Sequence, residues 1–228
     1  MTPATGSPSS RLARNMQDKR DRIFSAASEL FAERGFGAVS TQEVSDRADV
    51  AAGTLFRYAS SKGELLLMVF NEQLREALSE GRRRAESEPD TVEAILHLVE
   101  PILLRATEAG ENSVVYQREL LFGAPGEKYR DQGLGLIVDL ETRIASRLGA
   151  EASSLGLPPD QGRAALASAA IFAVTHLAVA RNSTGTHPER DARADLHEQV
   201  RLIVQGYLAD LLEPDRRSRA ITSQSSSR

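Results

Sequence analysis

Apolar residues in this sequence recur at three- and four-residue intervals along most of its length, and that spacing restricts the chain to helices. Leu196, Val200, Ile203, Val204, Tyr207, Leu208 and Leu211 form one continuous stripe, the pattern of a helix that buries one face. Ile23, Ala27, Leu30 and Phe31 do the same within residues 18–34, and Gly35 follows as a natural stop, because glycine adopts the left-handed conformation that ends helices. No segment alternates apolar and polar residues with the β-branched enrichment a strand needs. The expected fold is all-α.

The remaining helices are expected near residues 40–48, 51–58, 61–86, 90–109, 113–122, 127–148, 161–182 and 191–213. Pro101 lies inside one of them, where a missing N–H and a ring clash predict a kink or break. Residues 1–17 and 214–228 are polar and poor in core formers, so both ends read as disordered tails. Between them the pattern suggests a helical bundle at 18–64 and a larger helical domain at 65–213.

At 228 residues the chain is long enough to bury a substantial core. Cysteine is absent, and the four histidines (His97, His176, His187, His197) include no pair at i, i+4. Disulfides, metal chemistry and cofactors are therefore not expected. The N-terminus has no apolar run resembling a signal peptide. The longest uncharged apolar stretch, residues 164–180, is interrupted by Ser168, Thr175 and His176. It is expected to be a helix buried by protein on most sides rather than a membrane span, so a soluble, cytoplasmic protein is expected.

The net charge of −4 argues against indiscriminate coating of nucleic acid. Residues 1–62 nevertheless carry 9 Lys/Arg against 7 Asp/Glu, net +2, while residues 63–228 carry 19 against 25, net −6. The N-terminal quarter is the better candidate to face phosphates.

Within that quarter, Ser40 and Glu43 have the spacing of a capping box, and Val39 and Val44 stand at the hydrophobic-staple positions. A short helix is thus specified at its start. Asp49 can take the turn that follows, with Val50 dropping into the core. A second short helix then turns Leu55 inward and exposes Ala51, Ala52, Gly53 and Thr54, with Phe56, Arg57 and Tyr58 on its later turn. Two short helices behind a longer one make a helix-turn-helix, whose second helix can enter a major groove about 12 Å wide. Thr41 and Lys62 would hold phosphates from either side. Arg11 and Arg14 suit either a minor-groove arm or a plain solvated tail.

The run Gly53-Thr-Leu-Phe-Arg-Tyr58, with Lys62 four residues on and Glu64-Leu65 just after, resembles the recognition-helix signature of the TetR family of transcriptional regulators. Phe31-Ala-Glu-Arg-Gly35-Phe36 and Val39-Ser-Thr41 resemble its first helix and the start of its second. The resemblance covers residues 19 to about 70 and implies DNA contacts for Thr41, Gln42, Ala52, Gly53, Thr54, Phe56, Arg57, Tyr58 and Lys62. Phe56 replaces the family's usual phosphate-binding Tyr, Tyr58 a frequent His, and Ala51 a frequent Ser cap. Readout should lean on Thr54, Arg57, thymine-methyl contacts with Ala52, and DNA shape.

The resemblance also implies a homodimer on a palindromic DNA operator, released by a small-molecule effector. Half-site centres would lie about 34–36 Å apart or at a larger groove-matched spacing. Residues 161–182 and 191–213 are the dimerisation candidates. His97, Tyr116, Arg118, Glu119, Phe122, Phe172 and His176 are candidates to line an effector cavity, with core packing or surface charge as the plain alternative for each. No nucleophile elbow, zinc-protease motif or phosphate loop occurs. A helical enzyme on a small apolar substrate, and a regulator answering to a protein partner, stay open as alternatives.

Overall fold

The computed structural model describes residues 8–185 and 188–212. Those residues form α1 (Pro8–Ala38), α2 (Thr41–Arg47), α3 (Ala52–Leu55), α4 (Lys62–Ala85), α5 (Thr91–Ala109), α6 (Glu111–Phe122), α7 (Lys128–Ser154), α8 (Gln161–Thr184) and α9 (Ala192–Leu212), with no strand among them. The expected C-terminal tail and His187 lie outside the described residues. Helix α1 starts at Pro8, so residues 8–17 are helical rather than part of a tail.

The chain divides into two units. The first holds the described residues through Leu74 together with Ala109–Gly135; the second holds Arg75–Glu108 and the described residues from Leu136 onward. This differs from the expected boundary at residue 64, because α6 and the start of α7 belong with the N-terminal helices.

In the first unit α1 buries Ile23, Ala26, Ala27, Leu30 and Phe31. It turns out of helical geometry at Gly35, whose φ is 73°, as the glycine stop predicts. The buried Asn112 of α6 meets that break: its Nδ2 donates to the Phe31 carbonyl at 2.9 Å, and its Oδ1 accepts from the Phe36 N–H at 2.7 Å. One side chain thus satisfies two backbone groups that the interrupted helix leaves open. At the other end of the unit, the buried Glu64 carboxylate accepts from the Tyr129 and Arg130 N–H groups at the start of α7. Burial pushes the Glu64 carboxyl up, and these N–H groups oppose the shift. Asn71 adds a buried bond from its Nδ2 to the Tyr129 carbonyl at 2.7 Å, and the Tyr116 hydroxyl donates to Asn71 Oδ1 at 2.9 Å.

The second unit is built on Ile95, Leu96, Val99, Ile144, Leu148 and Ile171, together with Leu196, Val200, Val204, Tyr207 and Leu211 from the α9 stripe. Helix α5 runs through Pro101 without the expected break. Proline leaves the carbonyl four residues back without its helical partner, and here that carbonyl, of His97, lies against the backbone of Gly81. A Cβ at Gly81 would sit 2.5 Å from it. Helix α7 extends past the expected end at Leu148 because Ala152 is buried and Glu151 accepts a 2.6 Å hydrogen bond from Thr91.

Helix α8 corrects a further expectation. Over Gln161–Arg181 it is long and apolar enough to cross a membrane by length and composition, and only 33 % of its apolar window is buried. It packs against α9, which leaves Leu166 and Leu177 74 % and 57 % exposed on its other side.

Candidate nucleic-acid interface

Helix α2 starts where its sequence dictates. Ser40 Oγ accepts from the Glu43 N–H at 3.2 Å, and Glu43 Oε2 accepts from the Ser40 N–H at 2.8 Å, which completes the capping box. Glu43 also receives Arg34 at 2.7 Å. That guanidinium first, then the Ser40 N–H and hydroxyl, pull the Glu43 carboxyl down to about 2. Val39 and Val44 are both buried. The turn after α2 places Asp49 at a φ of 51°, a conformation that Asp tolerates better than most residues, and Arg22 pairs with its carboxylate at 3.1 Å. Val50 is half-buried, not a core residue.

Helix α3 is held by Leu55, fully buried, and its N-cap Ala51 supplies no side-chain bond. The helix is shorter than expected. After Leu55 the Arg57 and Tyr58 N–H groups bond three residues back, to the Thr54 and Leu55 carbonyls. Phe56, Arg57 and Tyr58 therefore sit on a tight turn rather than on a later helical turn.

The side chains differ in what they offer. Ala52 and Thr54 are half-buried, and Gly53 is exposed with open space where a Cβ would be. Phe56 is 48 % exposed. Arg57 is exposed and makes no ion pair among the described residues. Thr41 is half-buried at the first position of α2, and the exposed Gln42 donates to Asp46 at 2.8 Å. Tyr58 is engaged elsewhere: its hydroxyl donates to the Met16 carbonyl of α1 at 3.0 Å. The Lys62 ammonium stands 4.2 Å over the Phe36 ring and 3.4 Å from the Gly37 carbonyl. Desolvation lowers its pKa and Glu43 nearby raises it.

The first unit thus presents a short helix with a bare, small-residue surface, an exposed aromatic and arginine at its end, and a lysine at the head of the next helix. Residues 23–69 match the family model for bacterial regulatory proteins of the tetR family. Over these residues the chain is similar to the TetR family. It is 33 % identical over 83 residues to the transcriptional activator FasR of Mycolicibacterium smegmatis, covering 36 % of this chain and 38 % of that one. It is 40 % identical over 57 residues to the repressor KstR of Mycobacterium tuberculosis, covering 25 % and 26 %. The chain thus spans well under half the length of these relatives. Among solved structures, the Thermus thermophilus repressor FadR in complex with lauroyl-CoA is 25 % identical with a TM-score of 0.63, covering 82 % of this chain and 94 % of that one. Bacillus subtilis FadR in complex with stearoyl-CoA shares the fold at 21 % identity and a TM-score of 0.60, over 82 % and 98 %.

The seven candidate effector residues fall in different units. Tyr116, Arg118, Glu119 and Phe122 are in the first. Tyr116 is bonded to Asn71, Glu119 pairs with Arg118 at 2.7 Å, and Phe122 at the end of α6 is 81 % exposed, so it is a surface residue and does not line a cavity. His97, Phe172 and His176 are in the second. Phe172 and His176, one turn apart, meet edge to face at 4.2 Å, and burial lowers the His176 pKa to about 4. The Nδ1 atoms of His97 and His176 are buried without a hydrogen-bond partner among the described residues. A groove of about 570 Å³ between α7 and the start of α8 is lined by Val138, Ala145, Gly149 and Ala164, and by none of the seven.

Asn112 and Glu64, which organise the first unit, were not singled out as structural residues by the spacing. Each acts on backbone far away in sequence, and a lone Asn or Glu inside a helical pattern carries no local signal for that.

Proposed function

We propose that this chain is a ligand-responsive transcriptional regulator, a repressor that binds a palindromic operator as a homodimer and leaves it when a small molecule binds. The observation that carries the reading is the 40–62 segment: α2 is capped at both partners of the box, Leu55 anchors α3, and Gly53, Phe56 and Arg57 stay open to solvent. Thr41, Gln42, Ala52, Gly53, Thr54, Phe56, Arg57, Tyr58 and Lys62 are assigned to this interface. A single α3 is too short to specify a site, so two copies on a two-fold axis supply the specificity.

DNA contact belongs to residues 18–64 of the first unit, and effector binding and dimerisation to the second unit. The apolar surface that α8 and α9 leave uncovered, with Leu166, Leu177, Leu202 and Leu212 each more than half exposed, supports dimerisation through residues 161–182 and 191–213. Thermus thermophilus FadR is described in complex with lauroyl-CoA, which favours an acyl-CoA thioester as the effector class here. His97, Phe172 and His176 are its best-supported contacts, since two buried imidazole nitrogens there have no partner among the described residues; Tyr116 and Glu119 are weaker. The regulator names of the relatives favour regulation over catalysis, and operator binding requires the cytoplasm.

Selection of bound genomic fragments, followed by affinity measurements with and without acyl-CoAs of increasing chain length, tests the reading. One preferred site with steep salt dependence, loosened by acyl-CoA, supports it. Equal binding to all fragments contradicts the operator half, and indifference to every acyl-CoA contradicts the effector class.

A further inference from the structure

The first turns of α1 are helical without a core to pack on. Every side chain from Leu12 to Lys19 is exposed, with Leu12 at 64 % and Met16 at 51 %. Isolated helical turns gain little in water, where most helical stability comes from packing. Two bonds tie this end of α1 to the candidate interface. The Tyr58 hydroxyl, on the turn that leaves α3, donates to the Met16 carbonyl at 3.0 Å. One to two turns further along α1, Arg22 pairs with Asp49, in the turn between α2 and α3, at 3.1 Å. The segment is also basic: residues 11–22 hold Arg11, Arg14, Lys19, Arg20 and Arg22 against Asp18 and Asp21, net +3 in a chain whose net charge is −4.

We propose that residues 8–19 form a helical arm that lies along the duplex phosphates beside the site read by α3, with Arg14 as a contacting cation and Tyr58 as the positioning residue that holds the arm in place. The arm continues the candidate interface, and its charge complements a polyanion. This inference rests on the DNA-binding reading above. It moves Tyr58 from direct contact to support: a phenol that donates to a helix carbonyl fixes the arm's direction, so its loss should act through Arg14.

The test uses the full chain and its selected operator fragment, with binding followed by fluorescence anisotropy from low to high salt. Arg14→Ala and Tyr58→Phe should each weaken operator binding several-fold, and Arg14→Ala should flatten the salt slope by about one unit. In the Arg14→Ala background, Tyr58→Phe should add little, whereas independent contacts would add in full. Lys62→Ala serves as the control for the parent reading. If Lys62→Ala weakens binding while Arg14→Ala and Tyr58→Phe leave affinity and slope unchanged, the arm falls and the DNA-binding reading stands. If the unaltered chain prefers no site, both fall together. A Leu12→Ser/Met16→Ser variant that lowers self-association while Arg14→Ala is silent would overturn the proposal in favour of a protein contact.

Discussion

Asn112 and Phe31 stand 81 residues apart in the chain and are joined by a 2.9 Å hydrogen bond from the Asn112 amide to the Phe31 carbonyl. The same side chain receives the Phe36 N–H, so α6 closes the gap that Gly35 opens in α1. Replacing Asn112 with Ala leaves both backbone groups buried and unpaired. The expected loss is about 1–3 kcal/mol of stability, read as a lower urea midpoint with an unchanged slope. An unaltered midpoint would mean that water replaces the side chain at no cost.

The Ser40–Glu43 box makes the start of α2 sensitive to acid. Its carboxyl is held near 2 against an ordinary 4.5, so the folded state binds this proton less readily than the unfolded one. The resulting stability is present above about 4.5 and is lost as pH falls toward about 2. Glu43→Gln should flatten melting temperature against pH in that window, and Ser40→Ala should cost about 1 kcal/mol at neutral pH.

That box, and the Gly35 stop beside it, were legible in the sequence because each is a local arrangement a few residues long. The α9 stripe was legible for the same reason: periodicity reports burial directly. Asn112 and Glu64 were not, since each caps backbone brought near only by the fold, and the expected boundary at residue 64 missed α6 accordingly. The apolar run of α8 predicts burial on most sides, but apolarity alone does not distinguish a core face from one left open to another chain. In the interface, α3 ended early because residues 57 and 58 close three-residue bonds, a choice that spacing does not determine.

Gly81 is constrained by contact rather than by its own conformation. A Cβ there would lie 2.5 Å from the His97 carbonyl that Pro101 leaves without its helical partner. Gly81→Ala should therefore destabilise the chain by about 1–3 kcal/mol despite the higher helix propensity of alanine. A gain in melting temperature would show that propensity outweighs the clash.

His176 should give the second unit its own acid sensitivity. Burial holds its pKa at about 4 against an ordinary 6.5, so the imidazole stays neutral in the folded chain. Stability is fully present above about 6.5 and declines as pH falls toward about 4, where the unfolded chain binds the proton and the folded chain does not. His176→Phe, if it folds as the unaltered chain does at pH 8, should lose this decline. Thermal melts across the range would detect it, and parallel curves for both proteins would contradict it.

The central claim is that residues 40–62 form a wedge that reads a DNA groove, with Lys62 on a phosphate and Thr54 on a base edge. Operator affinity measured against salt for the unaltered chain, Lys62→Ala and Thr54→Val tests it most directly. The account predicts that Lys62→Ala weakens all sequences alike and flattens the slope by about one unit, while Thr54→Val changes which base is preferred at one position of each half-site. Identical slopes and identical preferences in all three proteins would contradict it.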